Sequence, residues 1–271
     1  MEVKLVTDEK IAETSSKGNQ EKWFDKEIGK WYKVDRMGYE ALSEAVISRL
    51  LEYSNINTET PFTFVSYDIE KVNVHSRERN ACVSNNFLGE RQSIVTVSHI
   101  LKQSVSRDYM KKLKNLPSDK KRIEYLAGTV KEITGLYDFP KYLTLLFEID
   151  ALFVNDDRHL NNIAVIEENG RFSYCPVFDN GAGLLSDVFD FPMDIAPLAL
   201  LKTVKARPFN LSFNRQKNIV TELYGRQLDI KKFKRIEISD VVSDLLQYYP
   251  ERDRGIIFDR VTETILYRQK Y

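Results

Sequence analysis

The sequence has 271 residues, of which 42% are hydrophobic and 30% charged; this is the composition of a folded, core-forming chain long enough for one large domain or two joined lobes. Lys+Arg and Asp+Glu both number 40, so no global field draws the chain to nucleic acid or to an anionic membrane, and direct nucleic-acid binding is not expected. Two cysteines, Cys82 and Cys175, with no CxxC pair, exclude a disulfide framework and point to a reducing compartment. The opening MEVKLVTDEK has no apolar stretch of signal length, and the most apolar region, 142–154, is interrupted by Glu148 and Asp150, so no membrane span is expected. The expected location is cytoplasmic, with secretion lacking a cleavable signal left open.

In chain order, residues 14–34 read as a β-hairpin: Lys22-Trp23-Phe24 and Trp31-Tyr32-Lys33-Val34 are strand-like, and Asp25 to Gly29 supplies the turn. Residues 38–54 read as a helix, because Leu42, Val46, Leu50 and Tyr53 recur at helical spacing. Residues 61–72 alternate like a strand after Pro61, and a further strand runs through Ala81-Cys82-Val83. Ser118-Asp119 caps a helix reaching Thr134, which Gly135 ends. Pro140 lies in the first turn of a helix reaching Val154. A polar loop, 155–161, precedes two short strands, 162–168 and 171–178, and helices are expected near 212–224, 239–249 and 251–269. A strand-rich first third followed by a helix-rich remainder is an α+β pattern and not an alternating one. The expected division is a first part of residues 1–92 and a second of 93–271.

The chemistry concentrates in residues 154–183, VNDDRHLNNIAVIEENGRFSYCPVFDNGAG. Asp157 and Asn162 are five apart, the spacing of a kinase catalytic loop, in which an Asp accepts the proton of the attacking hydroxyl and an Asn holds a metal. A strand pair separates this loop from Asp179-Asn180-Gly181, in the position of the element whose Asp bridges Mg²⁺ to the phosphates. Mg²⁺ takes hard oxygen ligands and keeps several waters, so one carboxylate, one amide oxygen and phosphates suffice. Each motif alone is a common turn composition; the pair at this separation is far more specific.

With these residues in hand, DRHLNN followed by VFDNG resembles the DRHxxN and DFG signatures of the phosphatidylinositol 3- and 4-kinase fold. It is more similar to the HipA-like Ser/Thr kinases, including the short CtkA type, whose Asp-x-His-x-x-Asn loop is followed by a proline, an aromatic or aliphatic pair and Asp, as in Pro176-Val177-Phe178-Asp179. Thr14 to Lys22 resembles the family's phosphate-loop segment, a serine ahead of a Gly-x-Gln-x-Lys core.

The resemblance implies a two-lobed, protein-kinase-like fold with a strand-rich first lobe and a helical second lobe. It also implies ATP and Mg²⁺ as cofactors and a protein Ser/Thr side chain as acceptor. Ser16, Lys17, Gly18, Asn19 and Gln20 would line the phosphate loop. Lys33 would pair with the α/β-phosphates, with Lys30 as the alternative on the opposite face of the strand. Glu44, eleven residues before Asn55, would pair with Lys33, with Glu40 as the alternative. Cys82 to Phe87 would be the hinge, with Val83, Ser84, Asn85 and Asn86 reading the adenine. Asp157 would be the base, Asn162 and Asp179 the metal ligands. His159 would hold the loop, Arg158 would steady the loop or the phosphoacceptor site, and Ser15 or Ser16 would be a regulatory autophosphorylation site. An antitoxin-type partner is implied by HipA toxins, although the chain has no room for their extra N-terminal subdomain. Asn180 replaces the usual phenylalanine, so a Phe flip has no agent. Three rival readings are a small-molecule or lipid-headgroup kinase, an ATP-binding pseudokinase regulator, and a binding domain whose motif matches arise by chance.

Overall fold

The computed structural model describes residues 4–6, as backbone, and 21–271. Strands β1 (Lys4–Val6), β2 (Lys22–Asp25), β3 (Lys30–Val34), β4 (Asp68–Val74) and β5 (Arg77–Asn85) form one sheet in the order β1-β4-β5-β3-β2. The β1–β4 pair is parallel and the others antiparallel. Of the hairpin expected over 14–34, residues 14–20 lie outside the described residues, and the two strands form at Lys22–Asp25 and Lys30–Val34 with the turn between them. Its register sets Trp23 opposite Tyr32, and their buried rings stack at 5.0 Å. With Val34, Val72, Val74, Ala81 and Val83 they make one apolar face of the sheet. Because side chains alternate along a strand, Trp31, Lys33 and Cys82 fall on the other.

Helix α1 (Glu40–Leu51) lies on that second face, against β3, β4 and β5. It also meets the C-terminal helices, so nearly all its residues are buried and not one stripe alone. A short α2 (Ile56–Glu59) follows.

A second, three-stranded sheet comprises β6 (Ser93–Thr96), β7 (Ala164–Glu168) and β8 (Arg171–Tyr174), antiparallel in that order. The helices of the second part are, in chain order, α3 (Val97–Ser104), α4 (Tyr109–Lys114), α5 (Asp119–Thr134), α6 (Phe139–Phe153), α7 (Pro197–Leu200), α8 (Phe213–Tyr224), α9 (Arg235–Val242), a 3₁₀ turn at Leu245–Tyr248 and α10 (Glu251–Arg268). The predicted caps of α5 are present: Ser118 Oγ accepts from Lys121 N at 3.2 Å, and Gly135 takes the left-handed conformation, φ 72°. Among the described residues no helix is long and apolar enough to cross a membrane.

Four local expectations change. The strand expected over 61–72 begins only at Asp68. Phe62 and Phe64 do alternate into the core, but Phe64 bridges Val177 in a single parallel contact; the alternation marks burial without a ladder. The strand expected over 171–178 stops at Tyr174, just before Cys175-Pro176, since proline cannot donate to a ladder. The helix expected over 239–249 starts at Arg235 and breaks after Val242 into the 3₁₀ turn ahead of Pro250. Residues 97–114, for which no element is expected, form α3 and α4, the first capped by Thr96 Oγ1 accepting from His99 N at 3.2 Å.

Candidate active site

Strand alternation and the position of α1 decide between the two lysines of β3. Lys33 points toward α1 and sets Nζ 3.3 Å from Glu44 Oε1 while pairing with the Asp179 carboxylate. Lys30 points the other way and pairs with Glu70 at 3.3 Å. Glu44 is 1% exposed, and its second oxygen accepts from Asn180 N at 2.8 Å, so one carboxylate fixes both the lysine and the Asp-Asn-Gly backbone. Glu40 serves the helix entrance instead, where its oxygens accept from the N–H groups of Arg36, Met37 and Gly38 just ahead of α1.

The electrostatics follow from that geometry. Burial alone pushes the Lys33 ammonium down, but Asp179 and Glu44 outweigh it and hold its pKa raised. Burial alone pushes the Asp179 carboxyl up, but Lys33, Arg158 and Lys22 outweigh it and hold it below the usual carboxylate range. Burial, and then Asp179, raise Glu44 against the pull of Lys33. Asp179 is therefore ionised, in a left-handed conformation with φ 60°, a region Asp tolerates better than most residues.

The loop after α6 is anchored from behind. Helix α6 ends at Val154 in the left-handed conformation, φ 59°. Arg158 is fully buried, and its guanidinium gathers four parts of the site. It donates to Asp150 of α6 at 3.0 to 3.2 Å, to Asn162 O at 3.2 Å, to Phe178 O at 2.8 Å and to Asn180 Oδ1 at 2.6 Å. Burial pushes the Asp150 carboxyl up to about 6, with Arg158 opposing. Of the two roles expected for Arg158, steadying the loop is the one its contacts serve; it faces away from solvent. Asn155 adds a bond from Nδ2 to Asp179 O at 3.2 Å. Gly183 is needed for close approach, since a Cβ there would lie 2.7 Å from Ile47 Cδ1 and 3.0 Å from Asn180 O.

The front of the loop is more open. The Asp157 side chain is 48% exposed, with Arg207 Nη1 and His159 Nε2 each 3.8 Å from its oxygens. The His159 Nδ1 has no partner among the described residues. What closes the loop here is backbone: His159 N donates to Asp157 O at 2.7 Å and Asn162 N to His159 O at 2.8 Å. Asp156 is half-buried, and burial followed by the neighbouring Asp157 charge pushes it up to about 7.

The Asn162 amide nitrogen donates to Asp157 O at 2.9 Å, which leaves its oxygen as the free end. An ionised Asp179 and an amide oxygen turned out of its own loop are the hard-oxygen donors that Mg²⁺ takes. The residues present thus fit the ion, and the roles stay with the proposal below.

Pairing of β5 with β4 ends at Asp68↔Val83, whereas pairing with β3 continues to Lys30↔Asn85. Ser84 and Asn85 therefore have no ladder partner on the β4 side, which is where a hinge offers its backbone groups. Asn86 turns the chain, its N donating to Gly29 O at 2.8 Å and its Nδ2 to Leu88 O at 2.9 Å. Trp31 shares the face of Lys33 and donates from Nε1 to Asn86 Oδ1 at 3.2 Å, while Phe87 and Phe178 approach at 6.4 Å. Ser15, Ser16, Lys17, Gly18, Asn19 and Gln20 lie outside the described residues. A cavity of about 530 Å³ lined by Asp35, Arg36, Arg77, Arg79 and Tyr249, among others, shares no residue with this cluster.

A strand-rich lobe carrying a lysine–glutamate pair, followed by a helical part carrying the Asp157 loop and the Asp179 element, defines a kinase-type fold. Its structure is similar to that of the Helicobacter pylori proinflammatory kinase CtkA, at 12% sequence identity and a TM-score of 0.62, over 94% of this chain and 89% of that one. At such identity the likeness establishes the fold. HipA of Shewanella oneidensis MR-1, from a complex with HipB and operator DNA, is also similar, at 15% identity and a TM-score of 0.48 over 95% of this chain and 65% of HipA. No family model matches the sequence, and no curated protein matches it.

Proposed function

We propose that the chain is a HipA-like, Mg²⁺-dependent kinase that transfers the γ-phosphoryl group of ATP to a Ser or Thr hydroxyl of a protein. The observation that carries this reading is the connected set Lys33–Glu44–Asp179, tied through Arg158 and Asn180 to the loop that bears Asp157 and Asn162.

Bound Mg·ATP would supply the phosphoryl group and a divalent charge at the phosphates. Asp179 and the Asn162 oxygen would hold the ion, and Lys33 would align the α/β-phosphates. Ser84 and Asn85 would present backbone groups to the adenine, flanked by Val83 and Asn86. Asp157 orients the acceptor hydroxyl and takes its proton as the oxygen bonds to the γ-phosphorus. The bond to the bridging oxygen breaks, and its electron pair leaves with ADP. Such transfer draws its rate from positioning and electrostatic stabilisation. Autophosphorylation at Ser15 or Ser16 and restraint by an antitoxin-type partner belong to the same reading.

The test is transfer from labelled ATP with Mg²⁺, alone and with bacterial lysate, for the wild type, Asp157→Ala and Asp179→Ala. Label on the chain or a lysate protein, absent from both variants, is the expected result. Nucleotide binding without any label would favour a pseudokinase, and label appearing only in lipid or small molecules would move the acceptor class.

A further inference from the structure

Charge on a transferring phosphoryl group is spread over three oxygens, and cationic side chains aimed at those oxygens stabilise the transition state. On the nucleotide side the chain supplies Lys33, with Lys22 close enough to influence Asp179. On the acceptor side the loop supplies none: Arg158 is buried behind it, its donors committed to Asp150, Asn162, Phe178 and Asn180.

Arg207 stands where that cation is missing. Its Nη1 is 3.8 Å from Asp157 Oδ1 and its side chain is 60% exposed. The backbone beneath it is held at three points. Ala206 and Leu211 exchange N–H···O bonds at 2.7 and 3.2 Å. The buried Gln216 donates from Nε2 to Arg207 O at 2.8 Å. Phe209 packs edge-on against Phe147 in the core. A firmly seated turn thus extends a long, permanently charged arm to the candidate base. Stability does not require this, because an exposed pair beyond hydrogen-bond length contributes little. Asp156 lies in the same neighbourhood and feels the charges of Asp157, Arg207 and Asp190.

We propose that Arg207 is a catalytic residue of the acceptor side: it lies beside the Asp157 carboxylate in the resting chain and turns to the γ-phosphoryl oxygens when nucleotide is loaded, leaving Asp157 to the acceptor hydroxyl. The inference rests on the kinase reading above. Arg207 forms no covalent bond and loses no proton; it neutralises charge while the proton passes to Asp157 and the electron pair leaves with ADP.

The experiment compares wild type, Arg207→Ala and Arg207→Lys in the full chain. It measures the Kd of Mg·ADP and of a non-hydrolysable Mg·ATP analogue by calorimetry, phosphate transfer, and the melting temperature. Arg207→Ala should bind ADP like the wild type, lose roughly tenfold in affinity for the γ-bearing analogue and lose roughly 10²–10³ in transfer rate, at an unchanged melting temperature. Arg207→Lys should recover part of both losses, which a purely structural arginine would not permit. Equal losses for ADP and the analogue, a lowered melting temperature without rescue by Lys, or wild-type transfer by Arg207→Ala would each overturn the inference. If the wild type neither binds nucleotide nor transfers phosphate, the kinase reading falls first; if the wild type transfers and Arg207→Ala is indistinguishable from it, this inference falls alone.

Discussion

The back and the front of the candidate site are built in opposite ways. Behind, Glu44, Asp150, Arg158 and Asn180 are buried and joined by hydrogen bonds of 2.6 to 3.2 Å. In front, Asp157, His159 and Arg207 are 37 to 60% exposed and approach one another only to 3.8 Å. The buried half has one arrangement available to it, since any displaced member would leave an unpaired polar group in the interior. The exposed half keeps its side chains free for a substrate. Positions are set from behind and chemistry is left to the front.

Substitutions on the two sides should therefore fail differently. The largest effect is expected at the front: Asp157→Ala should cost on the order of 10²–10⁴ in transfer rate with little change in a urea unfolding midpoint. An equal loss of stability would erase the distinction between the halves. Next comes Arg158→Leu, which strands the buried Asp150 charge and should cost about 3–5 kcal/mol of unfolding free energy. Denaturant titration measures it, and a loss below about 1 kcal/mol would mean that the pair behaves as a surface contact. Glu44→Gln keeps the shape but removes the charge that seats Lys33, and roughly a tenfold drop in transfer is expected, since hydrogen bonds to charged groups are the stronger kind.

The smallest effect concerns the support of α1. Asp35 Oδ1 accepts from Ala41 N at 2.6 Å, and Oδ2 accepts from Tyr249 Oη at 2.8 Å. Burial, and then the Glu40 charge, push its carboxyl from an ordinary 3.8 up to about 7. The folded chain holds this proton where the unfolded chain has lost it. The contribution of Asp35 to stability is thus complete below pH 3.8 and declines as pH rises through about 7. Asp35→Asn should flatten that slope, which is at most about 1.4 kcal/mol per pH unit; an unchanged profile of urea midpoint against pH would assign the slope elsewhere.

Much of this architecture is legible in the amino-acid order wherever the determinant is local. The hairpin follows from Lys22-Trp23-Phe24, the turn and Trp31 to Val34; the ends of α5 follow from Ser118 and Gly135. The loop and the Asp-Asn-Gly element are visible as spacing. What local order leaves open is which face of β3 meets α1, so Lys30 and Lys33 stand as alternatives until the packing separates them. The inward turn of Arg158 has a readable sign: Asp150, with Glu148, interrupts an apolar stretch of α6 eight residues earlier, and a carboxylate buried there needs a cation. Arg207 has no such sign. Its closeness to Asp157 depends on Gln216 and on the Ala206–Leu211 pair, contacts that no motif announces.

A second arginine beyond the reach of sequence patterns is Arg260, in the middle of α10. It is buried, and its guanidinium donates to the carbonyl oxygens of Leu185, Phe191 and Pro192 and to Tyr39 Oη, whose own O–H reaches the carbonyl oxygens of Leu184 and Leu185. Leu184 and Leu185 both have positive φ, a conformation leucine adopts only when its surroundings impose it. The segment following Asp179 is thus clamped by a side chain made some 75 residues later. During synthesis the ribosome releases every proposed reacting group well before it releases the clamp. The site closes only when α10 has emerged, so activity should begin late in synthesis and not along the way.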